Sequence, residues 1–244
     1  MQPPNMRKSQ PFRFKQFSIQ QHHAAMKVNT DGVLLGAWAQ MGTERSVLDI
    51  GTGTGVIALM AAQRCPTAQV TALEIDADAC IDARANVANS QYKDRVAVVC
   101  SSVQSYAADR LQTFDHIITN PPYFVDGTTS MRKGRSTARH AAQLPFQDLI
   151  DSVHTLLAPE GQFSLILPYE EGTHFQLLAE ESGMHICRKT EVYKAVGKLG
   201  RLLMTFALTA PDRAVATDTL LIREADGAYS SAYRAVTRDF YLHF

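Results

Sequence analysis

Asn120-Pro121-Pro122-Tyr123 is the stretch whose residue types most directly imply chemistry. The Asn120 amide oxygen and the Pro121 carbonyl can each accept one N–H from an exocyclic amine, which turns the amine's lone pair toward an electrophile. On adenine such an amine is a poor nucleophile, because its lone pair is delocalised into the ring. A site helps it by orientation and proximity, with no strong base required before attack. Pro121 and Pro122 restrict φ and hold the acceptors in place beforehand. Tyr123 offers a flat face on which a flipped-out base stacks, worth ~1–3 kcal/mol. Asn120, Pro121 and Tyr123 are thus the catalytic candidates, with Pro122 and Tyr123 meeting the acceptor base. Read alone, the tetrad is also a tight Pro-Pro turn capped by Asn120, with Tyr123 packed on the core.

A second group lies upstream, in Asp49-Ile50-Gly51-Thr52-Gly53-Thr54-Gly55. Glycines at a strand-to-helix junction let the backbone turn tightly and let a ligand approach the main chain. The dinucleotide fingerprint is G-x-G-x-x-G, aimed at a pyrophosphate. Here the spacing is G-x-G-x-G behind Asp49, whose charge would repel a phosphate. That favours a ligand bearing an ammonium or hydroxyls. Glu74, at the end of the next apolar run, can accept hydrogen bonds from both hydroxyls of an adenosine ribose. NAD would satisfy it too, so Glu74 specifies an adenosine cofactor without naming it.

The elements that must position these groups are short apolar runs at residues 46–50, 69–74, 96–100, 114–119 and 163–167, the early ones spaced by helical stretches from Gly55 to about Arg64 and from Asp76 to about Asn89. Runs of this length between helices mark βαβ units and a parallel sheet covered on both faces. Residues 186–192 and 202–208 are strand-like with too short a connection for a crossover helix, so they should pair antiparallel. Residues 1–45 suit a small hairpin or lid, and 46–244 one α/β domain, doubly wound and mostly parallel.

Bulk properties narrow the classes. The chain has 244 residues, enough for a sizeable core. It has no apolar run of membrane-spanning length and no apolar segment behind Arg7, Lys8, Arg13 and Lys15, so an unsecreted, soluble, cytoplasmic protein is expected. Lys plus Arg and Asp plus Glu each number 24, so nucleic acid could be held only by local patches. Arg132, Lys133, Arg135 and Arg139 form one such patch just after the tetrad, suited to phosphate contacts that position RNA without reading its sequence. Cys65, Cys80, Cys100 and Cys187 are scattered singly, which suits neither zinc nor a disulfide framework; each reads as a small buried hydrophobe. No metal-ligand set stands out. His22, His23 and His140 read as surface residues and Trp38 as a packing residue.

Taken together, the glycine loop, Glu74 and the tetrad resemble class I S-adenosylmethionine methyltransferases, whose roughly seven-stranded Rossmann-like sheet ends in an antiparallel strand. The tetrad is shared by N6-adenine, rRNA N2-guanine and protein N5-glutamine methyltransferases. The flanks are more selective. Phe14-Lys15-Gln16-Phe17, the run from Ala25 through Asn29-Thr30-Asp31-Gly32 to Trp38, Tyr229-Ser230-Ser231-Ala232-Tyr233 and Phe240-Tyr241-Leu242 resemble the bacterial tRNA1(Val) adenosine-37 N6-methyltransferase family.

The resemblance implies methyl transfer from S-adenosyl-L-methionine to N6 of the adenosine 3′ of the anticodon in a valine tRNA, with no membrane and no obligatory protein partner. Carried over by position, Gly51, Gly53, Glu74 and Asn120 contact the cofactor, and Thr30 and Asp31 close over its methionyl end. Ile75 and Val103 either flank its adenine or are ordinary core packing. Such enzymes commonly place an Asp after the third strand, whereas Ser101-Ser102-Val103 stands here; Ser102 would supply a neutral hydrogen bond instead. The same residues leave open a glutamine or guanine methyltransferase, or a non-catalytic module that binds cofactor and RNA.

Overall fold

In the computed structural model the apolar runs assemble into one mixed sheet of eight strands with helices on both faces. The structure describes residues 10–109, 112–122, 144–212, 214–215 and 217–243. A two-stranded hairpin, β1 (Phe12–Arg13) and β2 (Ser18–Ile19), precedes helix α1 (Thr30–Trp38). Then follow β3 (Ser46–Ile50), α2 (Val56–Arg64), β4 (Gln69–Glu74), α3 (Ala77–Ala88), β5 (Val96–Cys100), α4 (Val103–Asp109) and β6 (Phe114–Thr119). The remainder is α5 (Phe146–Leu156), β7 (Leu157–Pro168), α6 (Tyr169–Glu181), β8 (His185–Ala195), β9 (Lys198–Ala207), β10 (Thr217–Leu221) and α7 (Ser231–Thr237).

Strand order across the sheet is β10-β8-β9-β7-β6-β3-β4-β5. The chain runs outward from β3 through β4 to β5, then returns to β6 on the other side of β3, which creates a switch point between β3 and β6. Ligands of open α/β sheets bind at the carboxyl ends of the strands at such a point. The register makes this concrete: Ile50 of β3 pairs with Leu73 of β4 and with Thr119 of β6. The glycine loop and Asn120, the residues that follow, therefore leave neighbouring strands at the same level, about 4.8 Å apart laterally.

The expected antiparallel pair is β8 and β9, and β9 is antiparallel to β7 as well. The chain then adds an eighth strand, β10, parallel to β8 at the edge. Its sequence, TDTLL, is exposed at its first three positions, so it lacks the apolar run that marks a covered strand.

Side chains alternate across the sheet. Val47, Ile118, Ile166 and Leu203 face a core formed with α1, α2 and α7, and Leu48, Ile117, Leu165 and Met204 face one formed with α4, α5 and α6. Phe14, Phe17 and Ile19 of the N-terminal segment are buried in the first core, where Phe14 bridges to Tyr241 and Phe240 is buried. Trp38 is buried, donating to Thr190 Oγ1 at 3.0 Å. Cys65 and Cys80 are buried as expected of small hydrophobes, whereas Cys100, at the end of edge strand β5, is exposed and Cys187 half-buried. Among the described residues no helix is long and apolar enough to cross a membrane.

Candidate active site

The carboxyl ends of β3, β4, β5 and β6 open into a cavity of about 520 Å³, within the size range of small-molecule sites. Gly51 and Gly53 adopt φ of 70° and 57°, a region that favours glycine, and a Cβ on either would meet no protein atom within 4 Å. The loop thus turns bare backbone toward open space, which is what a close-lying ligand needs. Its shape is held by Gly51 and Thr52 N–H groups donating to the Leu73 carbonyl at 2.8 and 2.9 Å.

Glu74 lines the cavity and is only 9% exposed. Its Oε2 accepts from Gly53 N at 2.8 Å, and Oε1 accepts from the Ile75 and Asp76 N–H groups, each at 2.9 Å. The carboxylate therefore ties the end of β4 to the glycine loop. Of its four lone-pair sites three are filled, and the fourth, on Oε2, is left for a hydroxyl. A second hydroxyl would have to displace the Gly53 N–H.

Asp49 lies beneath the loop, fully buried, and does not line the cavity. Its Oδ2 accepts from Thr52 Oγ1 at 2.5 Å, and Oδ1 makes no hydrogen bond of ordinary geometry. Burial pushes the carboxyl up to about 7; Thr52 and the nearby Ala58 N–H oppose the rise, and the Glu74 charge adds to it.

On the far wall, Asn120 is half-buried and lines the cavity with Pro122, while Pro121 is buried and not part of the lining. Asn120 Nδ2 packs against the start of α1, where a Cβ on Gly32 would lie 3.8 Å from it. Asn29 caps α1, its Oδ1 accepting from Gly32 N at 2.8 Å, and both residues line the cavity. Thr30 is exposed and outside the lining, and Asp31 turns away to pair with Arg201 at 2.7 Å. Ile75 and Val103 line the cavity, the first 53% exposed and the second buried. Ser102 lines it too, but its hydroxyl is engaged at the start of α4, accepting from Ser105 N at 3.1 Å and contacting Ser105 Oγ at 2.9 Å. Tyr123, Arg132, Lys133, Arg135 and Arg139 lie outside the described residues.

Several lining residues carried no chemical signal in the sequence: Ala24, Lys27, Asn29, Gln104 and Leu144. Residues 24–29 reach the cavity because of two buried polar side chains on α3. Asp82 Oδ2 accepts from the His23 and Ala24 N–H groups at 2.7 and 2.8 Å. Asn86 accepts from Gln20 N at 2.7 Å and donates to the Gln20 and Thr54 carbonyls at 2.8 and 2.9 Å. Spaced i and i+4, the two form one stripe on α3 that satisfies the backbone of the N-terminal segment. That spacing was visible in the sequence, but nothing local marked it as buried.

These residues fit S-adenosyl-L-methionine: bare loop backbone in open space, a carboxylate with a free acceptor site, and the apolar Ile75 and Val103 on the cavity wall.

Comparison with known proteins gives the same picture at family level. A family model described as "Methyltransferase small domain" matches residues 24–196. A tRNA1(Val) (adenine(37)-N6)-methyltransferase of Shewanella halifaxensis is 40% identical over 95% of this chain and 99% of its own length. One of Phocaeicola vulgatus is 43% identical over 95% of this chain and 97% of its own. Among solved structures, a predicted O-methyltransferase from Agrobacterium tumefaciens superposes with a TM-score of 0.66 at 21% identity, covering 86% of this chain and 96% of that one. At that identity the likeness concerns the fold alone.

Proposed function

Given that the chain belongs to the tRNA1(Val) (adenine(37)-N6)-methyltransferase family, we propose that it transfers a methyl group from S-adenosyl-L-methionine to N6 of adenosine 37 in that tRNA. The observation that carries this reading is the seating of Asn120 on the cavity wall, level with the glycine loop on the adjacent strand. When bound, the cofactor supplies an electrophilic methyl group on a sulfonium.

The chain's own residues do the rest. Gly51 and Gly53 let main chain lie against the cofactor, and the open site on Glu74 Oε2 takes a ribose hydroxyl. Ile75 and Val103 sandwich the adenine. Asn120 Oδ1 and the Pro121 carbonyl take the two N–H groups of the acceptor amine and so aim its lone pair. Tyr123 follows in sequence, and its stacking role rests on the tetrad alone. Within the N-terminal segment, residues 24–32 supply the wall opposite the strand ends, through Asn29 and the backbone pinned by Asp82. Asp31, bonded to Arg201, acts on that wall from outside. A tRNA-modifying role sets the protein's work in the cytoplasm.

Mass spectrometry of nucleosides from tRNA incubated with the protein and methyl-labelled cofactor tests this. Labelled N6-methyladenosine is expected. Label on N2 of guanine, or none in RNA, rejects the reading.

A further inference from the structure

The cavity spans the ends of β3, β4 and β5, and Asn120 lies on its β6 side, the side on which β7, β9 and β8 continue the sheet. On that side the sheet does not end level. Thr119 pairs with Leu165, and Leu165 with Met204, but β7 continues to Pro168, paired with Arg201. The β8–β9 hairpin goes further still, closing with Ala195 opposite Lys198 around Val196 and Gly197. At about 3.3 Å per residue its tip stands roughly 20 Å beyond the strand end that carries Asn120. Two strand spacings put it roughly 10 Å to the side.

Toward its tip the projection carries cations and an apolar residue; nearer its base lies Glu191, whose carboxylate accepts from the Tyr193 hydroxyl at 3.1 Å, and Glu170 is exposed at the start of α6. Lys194 and Lys198 are exposed, and among the described residues neither has a carboxylate within 4.0 Å. Gly200 leaves room for the Lys194 stem, which crosses the hairpin so closely that a Cβ on Gly200 would lie 3.2 Å from Lys194 Cε. Val196, at the tip between the two lysines, is 63% exposed, and Gly197 with φ of 70° makes the turn. At the base, Arg201 is bonded to Asp31 of α1, which fixes the hairpin to the helix whose start lines the cavity. Tyr169, 37% exposed, begins α6 directly after Pro168 on the same side.

We infer that the β8–β9 hairpin is an RNA-docking finger, resting on the reading that the acceptor is an adenosine in a tRNA loop. Lys194 and Lys198 contact backbone phosphates beside the acceptor nucleotide, and Val196 lies against the loop bases left behind when that nucleotide turns into the site. An apolar tip between two unpaired cations matches a strand whose backbone is anionic and whose bases are apolar on their faces. The contacts position the RNA; they carry no sequence information.

The test measures tRNA binding directly, apart from methylation, for the wild-type protein, Lys194→Glu/Lys198→Glu, Val196→Asp and a control, Lys93→Glu, on the loop before edge strand β5. The double variant is expected to bind tRNA at least ~10-fold more weakly, with a salt dependence flatter by roughly 1.5 in log–log slope, as removal of two phosphate contacts requires. Cofactor affinity stays unchanged, and Val196→Asp weakens RNA binding without Lys93→Glu doing so. Unchanged RNA affinity and slope in the double variant, or an equal loss in Lys93→Glu, overturns the finger. Wild-type protein that binds tRNA through these lysines but forms no N6-methyladenosine would instead reject the functional reading and keep the finger. Absence of wild-type tRNA binding rejects both.

Discussion

Asp49 and Glu74 sit within one loop's width of each other, yet their environments give them different work. Glu74 holds three backbone N–H groups and faces the cavity, whereas Asp49 is sealed beneath the loop with one oxygen bonded only to Thr52. In the sequence both read as acids beside a ligand, because adjacency to a glycine loop says nothing about which side of the strand an acid faces. Position 49 shares its side with Val47, toward α2, and alternation along β3 hides it. Glu74→Ala is therefore expected to do two things at once: weaken cofactor binding and free the Gly53 N–H, loosening the loop. Calorimetry should show at least ~10-fold weaker cofactor binding, since a hydrogen bond to a charged group contributes about 1.5–3 kcal/mol. An unchanged dissociation constant would remove Glu74 from the site.

At the scale of elements, the placement of α1 and the segment before it decides whether the cavity has a second wall. Asp82 and Asn86 pin that segment, so Asp82→Ala should raise hydrogen exchange across residues 20–27 and weaken cofactor binding about tenfold, through the loss of two bonds to a carboxylate. Unaltered exchange there would show that other contacts suffice. Seating of α1 on α2 depends on Gly36, where a Cβ would meet Met60 Sδ at 2.8 Å. Gly36→Ala should lower stability by about 1–3 kcal/mol in denaturant titration, because a packed neighbour must shift. The central strands were legible from sequence because burial on both faces makes them apolar throughout, as in β3 and β6. The edge strand β10 was not, since exposure removes that signal, and neither were residues 24–29, whose place is fixed by side chains some sixty positions away.

Across the whole molecule, two buried ionisable groups should shape stability in opposite senses. Asp49 has a folded value near 7 against 3.8, so stability is lost as pH rises from the unfolded value to the folded one. His116 is buried, bonded through Nε2 to Ser164 at 3.0 Å, and burial lowers it from 6.5 to about 4. Its neutral form suits the core, so stability is full above 6.5 and lost as pH falls through that interval. The effects amount to about 4 kcal/mol for Asp49 and about 3 kcal/mol for His116, and between pH 4 and 6.5 they offset each other. Asp49→Asn should unmask a stability that climbs with pH over that range, and His116→Gln one that falls; parallel curves for all three proteins would refute the assignment. The same whole-molecule logic underlies the active site, where strand register brings together a cofactor cradle and an amine holder from residues far apart in the chain. The most direct check is single-turnover methyl transfer to tRNA by Asn120→Ala, with cofactor affinity measured on the same preparation. A rate at least ~100-fold lower is expected, as misorientation of a reacting group entails, with cofactor affinity nearly intact. A rate equal to that of the wild-type protein would contradict it.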